Sequence, residues 1–379
     1  MNFIDRFTKH RAEPEKSLEV YYKERRLSLG RRLLGRKKVY LDTKYWILLR
    51  DCELGRLDNE VVTELLQLLR DGVGAGKLVC PISADVFIEI LRRADYPTLS
   101  CSVELIDALS LGVSIASREE RIRQELLSFV LKNIQGEKSC HPPGLLVWTK
   151  LAYTFGFTPP CYTPFSTAEE LTIQKAFLDQ MWEVSLRDMI AIMGMGAIRN
   201  MPRIPNLSIQ LNEGKLAHAG ENSSLKQMFL SEIEGTLDTM LPDLQEMSAY
   251  LYERFMGVDP PKDQVDSTNG HRMFANLIYN AFRLNPFTTE LPTIRIPAML
   301  HAAIRWDTQR RYKQGDIPDI RHAEAALPYY QMLLTEKSLT HLLTRRDLGL
   351  DQLYGCQVLS TPNQAVQAVR TLASYDTEC

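Results

Sequence analysis

The chain has 379 residues, 45% of them hydrophobic, which excludes a disordered polypeptide and suffices for one large domain or two ordinary ones. Lys and Arg total 45 against 47 Asp and Glu, a net charge of -2, so no chain-wide basic signature exists and any nucleic acid must be gripped by local patches. Cysteines at 52, 80, 101, 140, 161, 356 and 379 form no Cys-x-x-Cys pair and no zinc spacing; with charged opening residues and no apolar run of membrane length, they point to a soluble, cytoplasmic protein with reduced thiols.

After a basic leader (1–36), Lys38-Val39-Tyr40-Leu41-Asp42-Thr43 reads as a buried strand ending in an acid. Residues 58–69 carry apolar side chains at helical spacing, and Gly72-Val73-Gly74-Ala75-Gly76 is expected to break that helix as a flexible turn. The glycine run is no phosphate loop: it lacks the spacing and the Ser or Thr, and it leads from helix to strand. A strand over 77–82 follows, then a helix over 84–93 capped by Ser83, and helices over 103–115 and 118–131, the last capped by Ser117. Strand, helix, strand, helix is the order of a parallel sheet, assigned here to residues 37–137.

From 138 to 293 the character changes to long helical patterns punctuated by proline pairs, with no strand signal, and this stretch is read as a helical insertion. Its methionine-rich stripe at 181–195 reads as helical core. Insertions in a compact scaffold often carry specificity, so gating of substrate, oligomerisation or a protein partner stays open for this one. The β/α order returns over 294–379: a helix at 296–313, another opened by Gly315-Asp316-Ile317-Pro318-Asp319, a strand at 331–335, a helix at 337–344, a strand at 357–360 and a last helix after Thr361-Pro362. The expected fold is α/β, a parallel sheet flanked by helices and interrupted by a large helical insertion.

Open parallel sheets carry functional groups at the C-terminal ends of their strands. Asp42 and Glu336 fall at such ends, Glu89 on the helix after the second strand, and Asp316 and Asp319 at a helix start. Packed together without a cation, these acids would repel one another, so the cluster implies a hard divalent ion such as Mg2+ or Mn2+. Such an ion polarises a phosphate and supplies hydroxide near neutral pH, which is the chemistry of phosphodiester hydrolysis.

Val39-Tyr40-Leu41-Asp42-Thr43, Pro81-Ile82-Ser83 leading to Phe87-Ile88-Glu89, Asp316 to Ala323, Leu333-Leu334-Thr335-Glu336 and Val358-Leu359-Ser360-Thr361-Pro362 together resemble the ordered motifs of PIN-domain nucleases. The resemblance covers roughly residues 37–135 and 294–373. It implies a metal-dependent endonuclease acting on RNA, with Asp42, Glu89 and Asp319 matching the family's acids, and such domains are common in toxin and defence settings. The family often carries Thr-x-Asp after its fourth strand, whereas Thr335-Glu336-Lys337 sets a longer acid one residue earlier and a lysine in the usual place. A DNA nuclease and a catalytically inactive module that binds RNA or protein are the alternatives.

Each residue also has a plainer reading. Asp42 caps a turn, and Asp316 and Asp319 have capping-box spacing with Asp316 at the N-cap. Asp85 serves the helix dipole, and His322 packs or caps. Thr43 and Thr335 orient an acid or water, or bond backbone. The basic leader 23–38 grips phosphates near Asp42 or packs as an amphipathic helix. The run 305–313, with Trp306 and Tyr312, stacks bases or contributes core.

Overall fold

The computed structural model describes residues 3–91, 95–135, 141–200, 205–221, 223–258 and 268–374. Among them, strands β1 (Lys37–Leu41), β2 (Leu78–Val79), β3 (Val113–Ile115), β4 (Trp148–Lys150), β5 (Met332–Leu334) and β6 (Gln357–Leu359) are short, and most of the chain is helical. β2, β1, β5 and β6 form, in that order, a four-stranded parallel sheet. This matches the α/β expectation. β1 is interior, and Val39, Tyr40 and Leu41 are at most 1% exposed, each contributing about 1.5–3 kcal/mol by burial. No described helix is long and apolar enough to cross a membrane.

Several local expectations are corrected. The helix expected over 103–115 ends at Ser110: Leu111 and Gly112 take positive φ (54° and 68°), and Val113 starts β3 instead. β4 lies inside the stretch read as free of strands and pairs antiparallel with β3. This two-stranded sheet is separate from the four-stranded one, and β3 meets the chain after β2 only through an isolated parallel bridge, Ile82 N donating to Val113 O at 3.2 Å. The regular part of the second strand shrinks to Leu78–Val79. The helix Glu60–Gly74 ends inside the glycine run, as expected, with Ala75 as its C-cap and Gly76 at positive φ (75°); it continues past Gly72, which packs directly on Leu78, whose Cδ1 would clash with any Cβ placed there.

The helical insertion is not a detached module. The second apolar core joins Met228, Phe229, Ile233 and Leu237 of the helix Leu225–Thr239 to Ile122 and Leu126 of the helix Arg118–Gln135. The boundary expected at 293/294 falls inside the helix Pro292–Trp306. Its Ile294, Ala298 and Ala302 face this second core, while Ile296, Leu300 and Ala303 face the main one. Spacing of three to four places each set on one side of the helix, so one helix welds the two cores together. That helix stops at Trp306, and 307–315 is a loop, not the helical continuation expected to 313. Of the methionine stripe, Met189 is core whereas Ile192 and Met193 are exposed, beside a kink at Gly194.

Glu125, on Arg118–Gln135, ties these layers with polar bonds. It accepts from Thr293 N (3.0 Å), Thr293 Oγ1 (2.6 Å) and Tyr329 Oη (2.5 Å), and is 2% exposed. Burial pushes its carboxyl up to about 7 despite those donors. A folded-state value above the unfolded one means a stability contribution complete below about pH 4.5 and lost as pH rises through about 7, on the order of 3 kcal/mol. Urea unfolding of Glu125→Gln is therefore expected to be flatter than wild type between about pH 5 and 8. Parallel pH profiles would remove Glu125 as the cause.

Candidate active site

Parallel pairing of β1 with β5 brings the two strand ends together, with Leu41 opposite Leu334 and Asp42 N donating to Leu334 O at 3.0 Å. Asp42 therefore lies beside Thr335 and Glu336. The helix Asp316–Ala326 delivers Asp319 and His322, and the helix Ala84–Leu91, started by Ser83 Oγ accepting from Val86 N, delivers Glu89. Asp42, Glu89, Asp316, Asp319 and Glu336 all line one cleft of about 1980 Å³.

Asp42 is 4% exposed and caps the helix Thr43–Glu53, its Oδ1 accepting from Tyr45 N at 3.1 Å. The capping role of this residue is thus real and coexists with its place in the cleft. Burial raises its carboxyl above the ordinary value, against the nearby His322, Thr335 hydroxyl and Tyr45 amide, while Glu336 pushes it further up. Asp319 is pushed up to about 7, first by burial and then by the charges of Glu336, Asp42 and Asp316, with His322 opposing. Glu336 is exposed, at the N-cap of the helix Lys337–Leu343, where its side chain makes no capping bond.

Glu89 accepts from Thr43 Oγ1 and sits 3.6 Å from His322 Nε2. His322 is the residue whose part sequence reasoning misses. It is 3% exposed, and its Nδ1 is 2.8 Å from Tyr40 Oη, which in turn is 2.8 Å from Ser83 Oγ. Burial alone would lower its pKa, yet Glu89, Asp85 and Asp42 together raise it to about 9, which favours the protonated ring. The available signal is its spacing: three residues after Asp319 on a helix, it must share that acid's face. Asp85, read as a helix-start acid, pairs with Arg321 at 3.3 Å.

Asp316 does not act as the N-cap expected of it. Gly315 holds that position, and Asp316 turns back onto the preceding loop, Oδ1 to Arg310 (2.8 Å) and Oδ2 to Lys313 N (2.8 Å). Each of its oxygens thus accepts one hydrogen bond from the loop, which fixes the orientation of its carboxylate. Of the two readings of the basic leader, the packed helix is the one observed. The helix Leu18–Arg32 buries Tyr21, Tyr22 and Leu29, pairs Arg26 with Glu120, and feeds the N-terminal end of β1. Five strand residues, about 17 Å, separate that end from Asp42. None of residues 23–38 lines the cleft. The run 305–313 splits: Tyr312 is core, bonded through its hydroxyl to His301 Nδ1 (2.9 Å), whereas Arg310, Arg311 and Lys313 reach the cleft.

Asp42, Asp319 and Glu336 offer hard oxygen donors whose mutual repulsion a divalent cation would relieve. Beside them, Thr335 Oγ1 is buried without a geometrically satisfactory hydrogen bond. The chemistry of the donor set fits such an ion. Among the described residues, however, no three His, Cys, Asp or Glu side chains converge closely enough to hold one. The acids stand apart, with His322 among them. Around this acidic floor the cleft has a cationic rim, with Arg311, Lys313 and Lys337 exposed.

Comparison with protein-family models, with curated proteins and with solved structures yields no match to this chain.

Proposed function

We propose that this chain is a PIN-like, metal-dependent endonuclease that hydrolyses phosphodiester bonds of RNA. The observation that carries the reading is that Asp42, Glu89, Asp319, His322 and Glu336 line one cleft beside the C-terminal ends of two parallel strands, with Arg311, Lys313 and Lys337 exposed around it. Asp42, Glu89, Asp319 and Glu336, with Asp316 already bonded to Arg310 and the Lys313 amide, are the residues that would hold Mg2+ or Mn2+, and because no three of them stand close enough together among the described residues, holding it would require their side chains to draw in. When bound, the ion supplies polarisation of the scissile phosphate and lowers the pKa of water.

The protein's own groups do the rest. Arg311, Lys313 and Lys337 bind flanking phosphates, and their charge explains how a chain of net charge -2 holds a polyanion. Tyr45 N fixes the orientation of Asp42, while Thr43 fixes that of Glu89. Tyr40 orients His322 so that Nε2 faces Glu89, which holds the Glu89 carboxylate in place beside the cleft.

The test is digestion of matched end-labelled RNA and DNA strands with Mn2+, with Mg2+ and with a chelator. RNA cut only when an ion is present is the expected result. Faster cutting of DNA overturns the substrate assignment. The separation of the acids favours a second reading, a catalytically inactive module that binds RNA or protein, and binding of RNA without cleavage under every ion condition would establish it.

A further inference from the structure

Near the cleft the helical insertion contributes a helix, Ser208–Ala217, none of whose residues is fully buried; Leu211 is half-buried against the main core. Apolar burial therefore does little to hold it, and its attachment is polar and aimed at one target. Asn212 pairs with the backbone of Tyr312 in both directions: Nδ2 donates to Tyr312 O at 2.9 Å, and Oδ1 accepts from Tyr312 N at 2.8 Å. Lys215 Nζ donates to three carbonyls, Ile304 O (2.8 Å), Asp307 O (2.5 Å) and Arg310 O. Ile304 O belongs to the last turn of the helix Pro292–Trp306, where carbonyls lack intrahelical partners and a cation is favoured by the helix dipole.

Apart from the one to Ile304 O, these bonds converge on the start and middle of loop 307–315, which carries Arg310, Arg311 and Lys313 to the cleft. The loop is held from the other side by Asp316, through Arg310 and Lys313 N, and from beneath by the Tyr312 hydroxyl on His301. The helix itself starts at the cleft wall, where Asn206 lines the cavity and accepts from Ser208 N at 3.1 Å. The loop has one buried apolar anchor, Tyr312, while its cationic side chains Arg311 and Lys313 are exposed. Here the backbone of that loop is pinned by two side chains from a segment far away in sequence.

We propose that the helix Ser208–Ala217 is a clamp that sets the cationic loop 307–315 over the acids, with Asn212 and Lys215 as positioning residues, so that the insertion determines how the cleft grips a phosphate chain. The substrate clause rests on the phosphodiesterase reading above; the clamp itself does not. Removing either residue frees loop backbone without touching a cleft charge, since neither Asn212 nor Lys215 lines the cavity.

The experiment uses the full chain as Asn212→Ala with Lys215→Met, as Arg311→Ala with Lys313→Ala, and as all four together. Amide hydrogen exchange reports the loop, and fluorescence anisotropy of a labelled oligouridylate in chelator reports the grip. The clamp variant is expected to speed exchange in 307–315 by about tenfold or more, with the sheet protected as in wild type. It is also expected to weaken oligouridylate binding several-fold, roughly as much as the charge variant does, with little further loss in the quadruple variant because both act through the same contacts. Unchanged loop exchange overturns the clamp. Faster exchange with unchanged binding, or losses that simply add, overturns its role in the grip. If wild type itself fails to bind oligouridylate, the nuclease reading and the substrate clause fall together, while the exchange result still decides the clamp.

Discussion

Asp42→Asn is expected to fold as wild type does and to lose ion-dependent RNA cleavage by roughly a thousandfold, the several kcal/mol that a positioned metal contributes to phosphoryl chemistry. The two roles of this side chain can be separated because asparagine caps helices as well as aspartate does. In that variant the side-chain amide oxygen at position 42 still accepts from Tyr45 N, so the start of the helix Thr43–Glu53 is retained. What disappears is a carboxylate whose ionisation burial disfavours, so the thermal midpoint should be equal to or above that of wild type. Asp42→Ala removes cap and charge together and should cost about 1 kcal/mol of stability in addition. Cleavage assays beside thermal melts distinguish the outcomes: full activity in Asp42→Asn would leave Asp42 as a cap and nothing more.

The second large effect is on stability. Mn2+ at about a hundred times its dissociation constant should stabilise wild type by roughly 2.7 kcal/mol, and Asp319→Asn should remove that gain. The direction of its pH dependence follows from the raised carboxyl of Asp319. With a folded value near 7 against an ordinary 3.8, its contribution to stability is complete at acid pH and lost as pH rises through about 7, where the buried charge must form. An ion competes with that proton. The Mn2+ stabilisation should therefore be small at about pH 5.5 and complete at about pH 8, and metal-free Asp319→Asn should exceed metal-free wild type in stability at the higher pH. Differential scanning fluorimetry across pH with and without Mn2+ reads both. An equal Mn2+ shift in wild type and Asp319→Asn would place the ion elsewhere.

Both predictions depend on residues that are legible in the sequence. Asp42 closes a run of β-branched and apolar residues, and Glu336 follows another, so strand ends and acids can be read together. The last helix, starting at Pro362, is equally legible from proline at its first position. β3 and β4 are not. Each is three residues long, too short to establish a period of two, and each is defined by its partner. The glycine run is legible in part: it ends the helix at Gly74, with Gly76 at positive φ, but glycine signals either a break or a close approach, and only the position of Leu78 decides that Gly72 is the second kind.

The sequence by itself determined that an α/β sheet would carry acids at its strand ends and that the middle of the chain would be helical, because side-chain periodicity and cap residues act over a few neighbouring positions. Tertiary structure alone decided how each acid is engaged. Asp316 and Asp319 look alike in sequence, yet loop 307–315 returns onto Asp316, the Arg310 side chain donating to one oxygen and the Lys313 amide to the other, while Asp319 is crowded by Asp42 and Glu336. The pKa of His322 is raised the same way, by Glu89, Asp85 and Asp42 on other elements. The physical reason is that burial and Coulomb interactions depend on distance in space: Asp42 and Glu336 become neighbours only because β1 and β5 share a parallel register.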